Sequence, residues 1–252
     1  MVNITPSGSL NAFPFSAEDT TLVVLCGGSG TRLWPLTLEK QKAMLPVSGV
    51  PLIRHIVDFW LPFCRNAIYV VKHGKEELTA YLETLPLDAR FVEPRELRGI
   101  ANGLSYVRPF VRKHFIVVLG DCLCRGVFAF PPAFALGVGV KAQAPLKDIQ
   151  HSYSVEIASD TGLLSRVVEK PKNPPNDLCG LGFYFFDMRV FSYIENTHPS
   201  ALRNEIEITD VIENMIRGGE PVSPVPFSGR YVNVTYPDDL EIAADILTEK
   251  SL

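Results

Sequence analysis

The sequence predicts an α/β fold in three layers, with helices on both faces of a mostly parallel central sheet and an antiparallel elaboration in its second half. Three observations carry that prediction. Short runs that are apolar at every position, at residues 22–25, 67–71 and 115–119, alternate with stretches of helical period. Strands apolar on both sides must be covered on both faces, which intervening helices achieve. Past residue 150 the pattern changes: Tyr153, Val155 and Ile157 alternate, Asp160-Thr161-Gly162 supplies a turn, and residues 163–168 run back as a hairpin. Finally, 252 residues at 46% hydrophobic content can bury one sizeable core.

Taken in order, residues 22–25 form the first strand, which breaks into Gly27-Gly28-Ser29-Gly30. Pro51 opens a helix whose Ile53, Ile56, Val57, Trp60 and Leu61 share one stripe. Residues 67–71 make a second strand. Leu78, Tyr81, Leu82 and Leu85 mark a second helix, and residues 90–93 a third strand. A helix over residues 99–107 turns Ile100, Ala101, Leu104 and Val107 inward, and the strand at 115–119 ends in Gly120-Asp121. Residues 128–150 match no template well. After the hairpin, residues 181–186 are a buried strand. Ile208, Val211, Ile212, Met215 and Ile216 stripe a helix that stops at Gly218-Gly219. Residues 231–234 are a short strand, and Pro237 opens the last helix, with Asp238 and Asp239 where the helix dipole favours acids. Its buried stripe is Leu240, Ala243, Ala244 and Leu247.

Composition removes several function classes. With 24 basic and 28 acidic residues the net charge is -4, so no global basic field recruits nucleic acid. Anionic ligands need local cations instead. Cys26, Cys64, Cys122, Cys124 and Cys179 are an odd set without a Cys-x-x-Cys pair, as in a reduced, cytoplasmic chain. No apolar run approaches ~18 residues, which argues against a membrane helix. Residues 1–20 lack a secretory signal's basic start and apolar core, and read as a loose N-terminal tail. One domain is expected over residues 21–252, in two parts, 21–125 and 126–252.

The chain is organised around residues 22–47. A buried strand that ends in glycines lets the backbone approach a ligand where side chains would collide. Free N–H groups at Gly27, Gly28 and Gly30 form a nest for anionic oxygens, and Arg32 and Lys42 add cations of the kind phosphate needs. This is not a P-loop, because the Gly-Lys-Ser/Thr ending is absent. Nor is it Gly-x-Gly-x-x-Gly, because Leu33 stands where the third glycine belongs.

The whole string, GGSGTRLWPLT followed by KAMLPV, resembles the signature of the sugar-1-phosphate nucleotidyltransferases, the nucleoside-diphosphate-sugar pyrophosphorylases. The resemblance covers roughly residues 20 to 245 in the family's order. It includes Glu93-Pro94 leading to Gly99-Ile100-Ala101, Leu119-Gly120-Asp121 at a strand end, Glu169-Lys170-Pro171 after the hairpin, the strand 182–187, and the segment 203–210. It implies a Rossmann-like fold whose antiparallel part binds sugar. It also implies an enzyme that joins an NTP and a sugar 1-phosphate, with Mg²⁺, to give an NDP-sugar and pyrophosphate. Partners are then those two substrates, without nucleic acid or membrane; homo-oligomers are common among relatives.

By the resemblance, Leu25, Gly27, Gly28, Gly30, Thr31, Arg32, Glu93, Gly99 and Ile100 surround the nucleotide, and Tyr153, Ser154, Glu169, Lys170, Gly180, Arg203 and Glu205 the sugar phosphate. Arg32 would hold the departing pyrophosphate, Lys42 the α-phosphate and Lys170 the incoming phosphate. Asp121 and Asn233 would bind metal. Glu169 and Glu205 would accept hydrogen bonds from sugar hydroxyls.

Three departures matter. Asn233 stands where most relatives have Asp, which leaves a neutral metal ligand. Glu93 stands where many have Gln; a carboxylate only accepts hydrogen bonds, which tilts the reading toward a cytidine or purine nucleotide. Tyr153-Ser154-Val155 replaces Tyr-Gly-Val, which suggests an unusual sugar. Several relatives append a left-handed β-helix; with Leu252 closing the sequence just after the last helix, no second catalytic domain is expected. Transfer to phosphocholine or a phosphonate, and a non-catalytic regulatory relative, are the alternatives.

Overall fold

The computed structural model describes residues 13–200 and 204–248. Strand β1 (Thr20–Cys26) leads through two single-turn 3-10 helices, Thr31–Leu33 and Lys42–Met44, to a small hairpin of β2 (Pro46–Val47) and β3 (Val50–Pro51). Helix α1 (Leu52–Trp60), β4 (Asn66–Val71), α2 (Lys75–Leu82), β5 (Asp88–Val92), α3 (Ile100–Ser105) and β6 (His114–Leu119) complete the alternating half. The second half contains β7 (Cys122–Phe128), β8 (Leu136–Lys141), α4 (Leu146–His151), β9 (Tyr153–Ile157), β10 (Leu164–Glu169), β11 (Cys179–Asp187), α5 (Arg189–Asn196), α6 (Ile208–Arg217), β12 (Val222–Asn233) and α7 (Asp239–Thr248).

The main sheet runs β5-β4-β1-β6-β11-β8-β12-β7, with β9 and β10 attached through β11. The first four strands are parallel, as the apolar runs predict. β11 then inserts antiparallel between β6 and β8, and β8 pairs parallel with β12. The predicted hairpin is β9 with β10.

Burial follows the pleat. Leu22, Val24, Ile116, Val118, Phe183 and Phe185 belong to one core, while Val23, Phe115, Val117, Tyr184 and Phe186 belong to the other. Helix α1 brings Ile53, Ile56, Val57 and Trp60 to the first core, and α7 brings Ala243 and Ile246. Helices α3, α5 and α6 cover the second, through Leu104, Phe191 and Met215 among others. Three layers result because each strand presents apolar side chains on both faces.

Several of the missed elements lack an apolar signature, although α5, with Val190, Phe191 and Ile194 buried, was missed despite its stripe. β7 and β8 carry Gly126, Gly137 and Gly139, and β12 begins nine residues before its predicted start because Pro224, Pro226 and Gly229 read as loop. The tail expected over residues 1–20 is partly folded. Phe13 packs edge-on against Phe63 and Phe130, Phe15 stacks on His114 at 3.6 Å between ring centres, and β1 already starts at Thr20. Residues 1–12 lie outside the described residues. No described helix is long and apolar enough to cross a membrane.

Candidate active site

The topology collects chain ends on one side of the sheet. β1 and β6 run parallel, with Leu25 in register with Leu119. β11 runs the other way and starts at that side, and Lys141, the last residue of β8, pairs with its Cys179. Asn233, the last residue of β12, pairs with Cys122, the first of β7. A cavity of about 750 Å³ opens over these ends. Leu25, Gly28, Gly30, Thr31, Arg32, Lys42, Ile100, Asp121, Lys170 and Asn233 line it, so Arg32, Lys42, Asp121 and Lys170 share one space.

The glycine loop is held by its own chain. Thr37 Oγ1 donates to Gly30 O at 2.7 Å, Gln41 Nε2 donates to Cys26 O at 2.8 Å, and Gln41 Oε1 accepts from the Ala43 N–H. Gly30 sits at φ 64°, and a Cβ there would lie 3.2 Å from Thr37 Cγ2 and 3.3 Å from Lys42 Cβ. Glycine therefore satisfies both the left-handed backbone and the close approach that seats Lys42. Lys42 Nζ reaches Asp121 Oδ2 at 2.5 Å, with 15% and 24% of the two side chains exposed. Burial of that order makes either charge costly without the other, so each depends on its partner.

Gly120 brings the two strand ends together: its N–H donates to Leu25 O at 3.0 Å, and a Cβ would fall 2.6 Å from Cys26 Sγ. The Val234 N–H donates to Asp121 O at 2.9 Å, which ties Asp121 to the strand end that carries Asn233. Behind them, Cys122 Sγ lies 2.9 Å from Tyr231 OH, which also accepts the Gly182 N–H at 3.3 Å. Burial, reinforced by the Asp121 charge, pushes the Cys122 thiol well up. Burial likewise raises the Tyr231 phenol, so both stay neutral. The Asp121 carboxylate and Asn233 amide oxygen suit a small hard cation that needs one or two protein oxygens. Among the described residues no group of three or more His, Cys, Asp or Glu is arranged to hold a metal ion by itself.

At the other end, Lys170 follows β10 in a left-handed conformation, φ 42°. Its N–H donates to Ser152 O at 2.9 Å and its Nζ lies 2.7 Å from Glu169 Oε1. Glu169 Oε2 in turn accepts from Thr209 Oγ1 at 3.2 Å.

Several expected residues do not reach the cavity wall: Gly27, Glu93, Gly99, Tyr153, Ser154, Glu169, Gly180 and Glu205. Tyr153 is a core residue, its OH donating to Leu181 O at 3.0 Å and its ring filling the space above Gly180. Ser154 is buried as well; β9 is covered on both faces at this point, and Ser152, just before it, lines the cavity instead. The exposed Glu93 carboxylate pairs with Lys75, whose hydrogen bond holds it below the usual carboxylate range. The acceptor-only argument for a cytidine or purine base thereby loses its footing. Gly99, at φ 93°, serves as a joint: a Cβ would lie 2.7 Å from Ile206 O and 3.1 Å from Glu205 Cβ. A Gly27 Cβ would meet Leu97 Cδ1 at 2.5 Å. Arg203 lies outside the described residues.

Lys141, Lys147, His151, Ser152 and Tyr231 line the cavity without having been singled out from sequence. The first three fall in or beside residues 128–150, where no period or motif marks them. Gln41 was legible in principle, being one residue before Lys42 in the same string.

The chain matches a family model described as nucleotidyl transferase over residues 21–249. It is 30% identical over 244 residues to the UTP–glucose-1-phosphate uridylyltransferase AglF of Haloferax volcanii, covering 91% of this chain and 97% of that one. It is 30% identical over 230 residues to the bifunctional protein GlmU of Methanocaldococcus jannaschii, covering 90% of this chain but 54% of the relative. It thus spans about half the length of that relative and of the methanococcal GlmU proteins it also matches. In fold it resembles a UDP-glucose pyrophosphorylase solved with UDP-glucose, with a TM-score of 0.77 at 19% identity over 90% of this chain and 98% of that one. The glycine loop, the Lys42–Asp121 pair and these matches agree on one conclusion: the chain belongs to the sugar-1-phosphate nucleotidyltransferase family.

Proposed function

We propose that this protein transfers a nucleotidyl group from an NTP to a sugar 1-phosphate, releasing pyrophosphate. The observation that carries the reading is the convergence of Arg32, Lys42, Asp121 and Lys170 on one cavity of about 750 Å³. An oxygen of the sugar phosphate attacks the α-phosphorus, the bond to the β-phosphate bridging oxygen breaks, and pyrophosphate leaves with that electron pair. No general base is required, because a phosphate monoester at neutral pH is already anionic. The difficulty is charge, since two polyanions must meet, and the protein acts by positioning and electrostatics.

In this reading the glycine loop N–H groups cradle the triphosphate, and Arg32 grips the departing pyrophosphate with a planar fork. Lys42 steadies the α-phosphate, with Asp121 fixing its position. Lys170 takes the sugar phosphate. Asp121 and Asn233 would hold Mg²⁺, which when bound offsets phosphate charge and aligns the reacting groups. Of the remaining sugar-side residues, Glu169 keeps Lys170 in place, and Arg203 and Glu205 would take the sugar-phosphate contacts that the resemblance implies. The name of the full-length relative AglF supports UTP as donor and glucose-like acceptors. Transfer to phosphocholine or a phosphonate is not favoured by the relatives. Cytoplasmic residence suits these substrates and the five free cysteines, all buried.

Pyrophosphate release, measured with five nucleoside triphosphates against several sugar 1-phosphates and phosphocholine, tests the proposal. Product with at least one sugar phosphate is expected. Product with phosphocholine alone, or none with any acceptor, defeats it.

A further inference from the structure

The acceptor end of the cavity carries two lysines, Lys141 and Lys147, besides Lys170. Lys141 ends β8 in register with Cys179, and the Ala144 N–H then donates to Asp177 O at 3.0 Å, turning the chain into α4. That turn brings Lys147 and His151 to the cavity wall, followed by Ser152, whose carbonyl accepts the Lys170 N–H. Lys141, Lys147 and Lys170 therefore share one end of the cavity. Lys170 has Glu169 as its counter-ion. Among the described residues no ion pair involves Lys141 or the exposed Lys147, and Asp148, the one acid in the stretch 141–152, lines the same wall. Lys141 is half-buried. A partly desolvated ammonium without a counter-charge raises the free energy of the empty protein, and an anionic ligand reverses that.

We infer that the acceptor is a sugar 1-phosphate bearing a second anionic group, a carboxylate or a further phosphate on the sugar, held by Lys141 and Lys147. The inference rests on the nucleotidyl-transfer reading and narrows its substrate class. Tyr153 and Ser154, both withdrawn into the core, leave this wall to the cations of β8 and α4.

The test compares glucose 1-phosphate, glucuronate 1-phosphate and glucose 1,6-bisphosphate as acceptors at fixed UTP and Mg²⁺, following pyrophosphate. A charge-assisted contact predicts kcat/KM at least about tenfold higher for one of the doubly charged acceptors, and which one wins identifies carboxylate or phosphate. In the double variant Lys141→Gln, Lys147→Gln the ratio of charged to neutral acceptor should fall by about the same factor. Equal use of all three by the native protein, or an unchanged ratio in the variant, overturns the inference. Absence of product with every sugar phosphate, when the other four nucleoside triphosphates also give none, defeats the transfer reading instead. Calorimetric titration of the same three compounds then decides: tighter binding of a doubly charged sugar upholds the inference, and equal binding overturns it.

Discussion

The two ends of the cavity are assembled differently. At the nucleotide end the backbone cradle, Arg32 and Lys42 come from one stretch of chain, and the key cation already has its partner in Asp121 at 2.5 Å. At the acceptor end Lys141, Lys147 and Ser152 come from one stretch and Lys170 from the end of β10, and two of the lysines have no ion pair among the described residues. A closed, mostly buried pair is organised before any ligand arrives and tolerates little change. An open set of cations gains from whichever anion it meets, so it can set substrate choice without disturbing the reacting groups. On the proposed reading, chemistry belongs to the first end and selectivity to the second.

The sharpest way to break that contrast is Asp121→Ala. It removes the acid proposed to face the metal and leaves a mostly buried Lys42 unpaired, so kcat at saturating Mg²⁺ should fall by about 10³-fold and the melting temperature should drop, while circular dichroism keeps the folded signature. Rates near those of the native protein would show that the pair is not the reacting centre. Next in size is Gly180→Ala, whose Cβ would land 1.8 Å from the Tyr153 ring. Overpacking of that kind costs about 1–3 kcal/mol, to be read from urea unfolding; an unshifted midpoint would mean that β9 and β11 are looser than drawn. Asn233→Asp adds charge beside Asp121 and should lower the Mg²⁺ needed for half-maximal rate roughly threefold to tenfold. A flat response would take Asn233 out of the metal site. The smallest effect is expected from Glu93→Gln, which severs an exposed pair with Lys75 and should leave the nucleotide ranking intact. A swing toward uridine or thymidine would return Glu93 to the base.

What could be read in advance tracks how local each signal is. Helices α1 and α6 were visible because Ile53, Ile56, Val57 and Trp60, or Ile208, Val211, Ile212 and Met215, repeat at helical period. β4 and β6 were visible because every position after the first is apolar. β8 and the first part of β12 were not, since Gly137, Gly139, Pro224 and Pro226 weaken the pattern while partner strands supply the order. Tyr153 looked like a sugar contact by motif, yet packing against Gly180 took it into the core.

By itself, the sequence determined the alternating architecture, the glycine loop with Arg32 and Lys42, and the family, because periodicity and short motifs are properties of neighbouring residues. Tertiary structure alone decided that Asp121 would meet Lys42 seventy-nine positions away, that Asn233 would end beside Asp121, and that Lys141 and Lys147 would share a wall with Lys170. Those meetings depend on strand order and direction, on β11 running against β6 and β12 turning from β8 to β7, and no local pattern encodes them.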